Sequence, residues 1–155
     1  MAVRVSTSDF DISAEMARLT NADTGIGGVA LFVGKVRDHK DGDALTELVL
    51  EHYPGMTEAE LERIEAEAQR RFDLSASLVV HRVGSLKPGD NIVLVIACAS
   101  HRQNAFAAAE FLMDYLKTRA PFWKKEVLAS GESHWVDARE SDDEARARWH
   151  PDAAD

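Results

Sequence analysis

Residues 116–126, LKTRAPFWKKE, carry the side chains best suited to chemistry on an anion: Lys117, Arg119, Lys124 and Lys125 stand around Pro121, Phe122 and Trp123. Positive heads beside flat apolar rings suit a flat, negatively charged ligand. A lysine acting as base or nucleophile must lose its proton, whereas one stabilising an oxyanion or phosphate keeps it. Lys117 and Lys124 together allow those tasks to be divided. Adjacent residues on a strand face opposite ways, so only one of Lys124 and Lys125 need enter a site.

Two further sets of cations extend the pattern. His101 and Arg102 follow an apolar run and open a helix, where outward N–H groups and a positive dipole end favour a phosphate or carboxylate. The plain alternative is a packed or capping histidine and an arginine paired with a surface acid. Lys35 and Arg37 close another apolar run two residues apart, which on a strand puts both on one face, with His39 and Lys40 in the turn beyond. An ordinary strand end meeting solvent would look the same.

Local signals define the elements that must position these residues. Phe10 and Ile12 read as a short strand, and Ser13 as the cap of a helix carrying Met16 and Leu19. The run 29–37, VALFVGKVR, reads as a strand, joined through the polar turn 38–43 in a hairpin to a second strand over Leu45 to Tyr53. Thr57 and Glu60 form a capping box for a helix through Leu61, Ile64, Ala68 and Phe72, with Glu58, Glu62, Glu65 and Arg70 on its solvated face. Leu78 to Val83 and Ile92 to Ala99 form a hairpin across Lys87-Pro88-Gly89-Asp90. A second capping box, Ser100 with Gln103, opens a helix through Phe106, Ala109, Met113 and Leu116 that Pro121 ends. Val127 to Val136 closes as a hairpin around Ser130-Gly131, and a charged, alanine-rich tail begins at Ala138.

Composition excludes several classes of function. A chain of 155 residues, 45% apolar, is expected to fold as one domain, residues 1–138, followed by the charged tail 139–155. Its net charge of -9 argues against general binding to nucleic acid or an anionic membrane. Charge is nevertheless segregated: residues 100–125 hold five basic and two acidic residues, +3, which leaves -12 elsewhere. No basic and apolar leader and no run of about 20 apolar residues occurs, so a cytoplasmic protein is expected. Cys98 is the only cysteine, which precludes an internal disulfide or a cysteine-built metal site within one chain; in an apolar run it reads as a buried structural thiol.

Spacing yields one sharper expectation. A helix unbroken from His101 to Lys117 separates them by roughly 24 Å, at 1.5 Å per residue. One small ligand cannot touch both, which favours a homodimer whose pocket takes His101 and Arg102 from one copy and Lys117 from the other.

The segments GKVRDH, LEHYPGMTE, HR after a strand, and MDYLKTRAPFWKKE occur in this order. Together they resemble the large, catalytic subunit of molybdopterin synthase, over about Gly28 to Arg139. The resemblance implies an α+β chain, an α/β hammerhead fold with an additional antiparallel β subdomain. It implies a homodimer at the centre of a heterotetramer, with a small ubiquitin-like sulfur-carrier subunit at each end and no resident cofactor or metal. The implied reaction installs the dithiolene sulfurs that convert cyclic pyranopterin monophosphate to molybdopterin, with sulfur delivered as a thiocarboxylate on the carrier's C-terminal glycine. Substrate contacts would fall at Lys35, Val36, Arg37, His101, Arg102, Lys117, Lys124, Lys125, Glu126 and Arg139, with Lys117 and Lys124 catalytic. The carrier tail would thread a channel that Phe32, Met113, Phe122 and Trp123 are placed to line. The rival reading is a non-catalytic dimeric module that senses a phosphorylated, pterin-like metabolite. Phosphoryl transfer is disfavoured, since no G-x-x-x-x-G-K-[ST] loop or acidic metal pair is present.

Overall fold

The computed structural model describes residues 2–40, 43–136 and 140–149. Its first sheet is built on β7 (Asn91–Ala99), an apolar strand covered on both faces. The strand order is β1 (Ala2–Ser6), β5 (Ala76–Arg82), β7, β2 (Gly28–Lys35); β1 runs parallel to β5 and the other pairs are antiparallel. Alternation along β7 sorts its side chains between two cores. Val93 and Val95 pack against α2 (Met56–Phe72) and α3 (Arg102–Thr118), meeting Leu61, Ile64, Ala68, Phe111 and Leu112. Leu94, Ile96 and Cys98 point the other way, to Phe10 and the flank of α1 (Ile12–Thr20). Cys98 is fully buried and burial raises its pKa, so it is a core thiol.

A second sheet stands at the end of the first. β4 (Asp43–His52) pairs with β8 (Phe122–Leu128), with the short β6 (Gly84–Leu86) and, at its tip, with β3 (His39–Lys40); β9 (Ser133–Val136) completes the order. Val36, Leu45, Leu48, Leu50, Val83 and Leu86 form the core between the sheets. Phe122 packs on this core and on the helical one, so it sits at the joint between them.

Several local expectations change. The hairpin between the 29–37 run and the Leu45 strand does not form, because β2 pairs with β7 while β4 pairs with β8. Only the tip, β3 with β4, is a hairpin, since the chain leaves the first sheet after an irregularity at Gly34/Lys35. Ile12 begins a helix rather than ending a strand, and Asp11, not Ser13, is its cap: the carboxylate accepts the Ala14 N–H at 3.0 Å. The box expected at Thr57 and Glu60 lies two residues earlier. Gly55 turns the chain with φ 87° and its N–H donates to Glu58 at 2.6 Å, while Glu60 pairs with Arg63. Glu65, expected in solvent, is buried and accepts the Ser77 hydroxyl at 3.0 Å. Strand β1, which the sequence reading missed, covers that face of α2.

Helix α3 starts at Arg102 with His101 as an extended N-cap that makes no side-chain cap bond, so the Ser100–Gln103 box is not used. Close packing sets this turn instead. A Cβ on Gly27 would lie 2.0 Å from the Ser100 carbonyl oxygen, and one on Gly28 3.3 Å from the Arg102 Cα. At the far end of the chain, α4 (Glu140–Ala147) brings Trp149 onto Phe72 and Phe111, and its indole N–H donates to Asp114 at 2.8 Å. No helix among the described residues is long and apolar enough to cross a membrane.

Candidate functional site

The site is built where α3 ends and β8 begins. Lys117 occupies the last turn of α3, and the Arg119 N–H closes that turn on the Tyr115 carbonyl at 2.8 Å. Pro121 cannot extend the helix, and the chain reverses directly into β8. Thr57 anchors the reversal from α2: its buried hydroxyl donates to the Pro121 carbonyl at 3.1 Å and accepts the Tyr53 N–H at 2.9 Å. Along β8, residues of equal parity share a face. Phe122, Lys124 and Glu126 therefore face inward, with Glu126 buried and Phe122 half-buried against the core. Lys125 faces outward, its ammonium 5.8 Å from the Trp135 ring centre in a cation–π contact.

Lys117 and Lys124 act on one group, His81 of β5, which the sequence reading missed. Its imidazole is buried and stacks on Phe122, with ring centres 3.8 Å apart. Burial pushes its pKa down to about 4, helped by the charges of Lys124, Lys117 and His52 and opposed by a hydrogen bond with the Arg82 carbonyl. The only signal in the sequence was a lone histidine inside an apolar strand. His52, paired with Phe122 across the β4–β8 ladder, lies 3.5 Å from Glu58. The Glu58 carboxyl is held below its ordinary range by backbone N–H bonds, its own and that of Gly55.

The remaining candidates lie elsewhere on the same chain. His101 and Arg102 are exposed at the opposite end of α3, Arg102 being about 22 Å from Lys117 by fifteen helical rises and His101 one residue beyond it. The Lys35 ammonium donates to the Asn91 side chain at 2.9 Å, and Asn91 in turn donates to Asp9 at 3.2 Å. β2 stops at Lys35, so strand alternation does not carry through to Arg37, which is exposed. Between them Val36 is a core residue whose N–H donates to Asp90 and whose carbonyl accepts from Gly89. Phe32 and Trp123 are exposed and Met113 packs at the core edge. Arg139 lies outside the described residues. A separate hollow of 380 Å³ between α2 and α3 is lined by Arg63, Glu67, Tyr115 and Arg119. No cluster of three or more metal-ligating side chains occurs among the described residues.

Fold and site together define an α+β protein with two lysines on either side of the α3–β8 reversal, at the joint of two sheets, side chains of a type suited to proton transfer and anion stabilisation. The sequence model of the family described as MoaE protein matches residues 5–119. A molybdopterin synthase catalytic subunit of Ralstonia nicotianae is 55% identical over 147 residues, 95% of this chain and 83% of the relative. The solved molybdopterin biosynthesis MoaE protein of Burkholderia ambifaria superposes with a TM-score of 0.82 at 54% identity, covering 97% of this chain and 99% of that one. A Helicobacter pylori complex of subunits 1 and 2 of molybdopterin-converting factor shares the fold at 19% identity and a TM-score of 0.69, over 89% and 90%. The chain belongs to the MoaE protein family, that of the molybdopterin synthase catalytic subunits.

Proposed function

We propose that the corner between α3 and β8 is the place where this chain performs sulfur transfer as the catalytic subunit of molybdopterin synthase. The enzyme assignment rests on family membership, which favours it over the sensor reading. The observation that supports the location is that Lys117 in the last turn of α3 and Lys124 on the inward face of β8 flank the single reversal at Pro121, and that the charges of both bear on the buried His81 imidazole. Two ammonium groups so placed can hold the phosphate of cyclic pyranopterin monophosphate and stabilise the oxyanion formed as a thiocarboxylate reacts. One of them can also manage a proton as the cyclic phosphate opens and the carrier leaves as its carboxylate. Sulfur comes with the carrier, so the chain needs no nucleophilic cysteine, in keeping with the burial of Cys98.

The partner is a small ubiquitin-like carrier subunit, and the Helicobacter relative, a complex of two subunits, is consistent with this. An extended glycine-ended tail reaches a narrow site without side-chain obstruction. His101 and Arg102 complete the pocket from a second copy of this chain, since the length of α3 separates them from Lys117 within one copy. Arg37 and Lys35 supply further positive charge, and Arg139 is assigned to the same pocket.

Conversion of cyclic pyranopterin monophosphate by the purified chain and a thiocarboxylated carrier tests this reading, with wild type set beside Lys117→Ala and Lys124→Ala. The expected result is product from wild type and a large loss in both variants while each still dimerises. Ligand binding by wild type without turnover, with a carrier proven active, would instead support the sensor.

A further inference from the structure

His81 projects from β5 of the first sheet, and its ring lies nearly parallel to that of Phe122 at the start of β8 in the second, at an interplanar angle of 18°. One ring pair thus joins the two sheets. Its Nδ1 is 2.8 Å from the Arg82 carbonyl oxygen, which can only accept, so Nδ1 carries the proton and Nε2 keeps a lone pair. Phe122 and Lys124, two residues apart on β8, share the inward face. The titratable groups acting on the ring come from three other elements: Lys124 of β8, Lys117 of α3 and His52 of β4. All are cations or become cations on protonation, and with burial they keep the ring neutral at pH 7.

We infer that His81 is a positioning residue for Lys124, its flat ring fixing Phe122 and, through two residues of strand, the inward aim of the lysine. The inference rests on the assignment of Lys124 to sulfur transfer. An aliphatic side chain of similar size would fill the volume and leave Phe122 free to tilt. A permanently cationic one would repel the ammonium it has to aim, and an anionic one would draw it in to pair. A neutral aromatic ring meets both requirements, and a displacement of a reacting group by 1 Å is enough to cost about a hundredfold in rate.

The test uses the assembled synthase with thiocarboxylated carrier and cyclic pyranopterin monophosphate. His81→Leu removes the ring and His81→Phe restores it without the hydrogen-bond donor. The expected result is a fall in kcat of roughly ten- to a hundredfold in His81→Leu, a KM changed less than about threefold, and recovery of most of kcat in His81→Phe. Added to Lys124→Ala, His81→Leu causes no further loss. An equal loss with and without Lys124, or a phenylalanine variant as impaired as the leucine one, overturns the inference. An unchanged kcat in Lys124→Ala alone removes the lysine's assignment and the role of His81 with it. Should His81→Leu not fold, the ¹⁵N chemical shifts of His81 in the wild-type chain decide: an Nδ1-protonated ring unchanged from pH 8 to pH 5.5 supports a packed positioning ring. A ring that titrates near its ordinary value overturns it.

Discussion

Lys124 and Lys125 are adjacent, yet strand alternation gives them different surroundings, one on the inward face shared with Phe122 and the other over Trp135. Lys124→Ala is therefore expected to lower kcat by roughly 10²–10³-fold, the scale of losing a group that stabilises developing charge. Lys125→Ala is expected to change kcat less than about fivefold, the worth of one exposed cation–π contact. Steady-state kinetics on the two variants checks the contrast. His81 also sets a pH dependence. Its folded pKa, about 4, lies below the ordinary 6.5, so the unfolded chain binds more protons between those values. Stability is complete above pH 6.5 and declines as pH falls toward 4, by up to roughly 3 kcal/mol from this residue. Glu65 works in the opposite sense. Burial raises its pKa, so its contribution is greatest below the unfolded value and is lost as pH rises through the folded one. Urea unfolding at pH 7, 6 and 5 should show the decline in wild type, with a shallower slope in His81→Phe.

At the scale of elements, the contact between the start of β2 and the turn into α3 needs glycine for space, whereas the turn at Gly89 needs it for backbone conformation. In Gly27→Ala the new methyl would meet the Ser100 carbonyl oxygen at 2.0 Å, and in Gly89→Ala it would meet nothing within 4 Å but would sit at φ 90°. The first is expected to cost at least ~3 kcal/mol and to displace His101 and Arg102, the second ~1–2 kcal/mol and no site geometry. Denaturant unfolding with anion binding separates the two. Helices α2 and α3 were legible because their apolar residues recur at helical spacing and Pro121 stops the second. Their caps were less so. Gly55 and His101 hold those positions through backbone geometry and close packing, which side-chain cap preferences do not describe. Glu65 was misread as solvated for a related reason: helical periodicity identifies one buried face, while β1 covers part of the other.

For the whole molecule, the length of α3 is the consequential dimension. If each pocket takes Arg102 from one copy and Lys117 from the other, mixing Arg102→Ala with Lys117→Ala chains rebuilds one intact pocket in every mixed dimer. Random pairing makes half of the dimers mixed, so activity should recover to about a quarter of wild type. Pockets confined to single chains would show no recovery, and product formation after subunit exchange reads the difference. The sequence by itself determined the inventory of cations, the two long helices, the central strands β5 and β7, and the spacing that keeps His101 from Lys117. These follow from local periodicity and from a fixed rise per residue. Only the tertiary structure decided that β2 pairs with β7 and β4 with β8, that Lys124 rather than Lys125 faces inward, and that His81 is buried against Phe122 where the charges of both lysines bear on it. Strand partners are chosen by burial across the whole chain, and a side chain's charge state depends on neighbours that are remote in sequence.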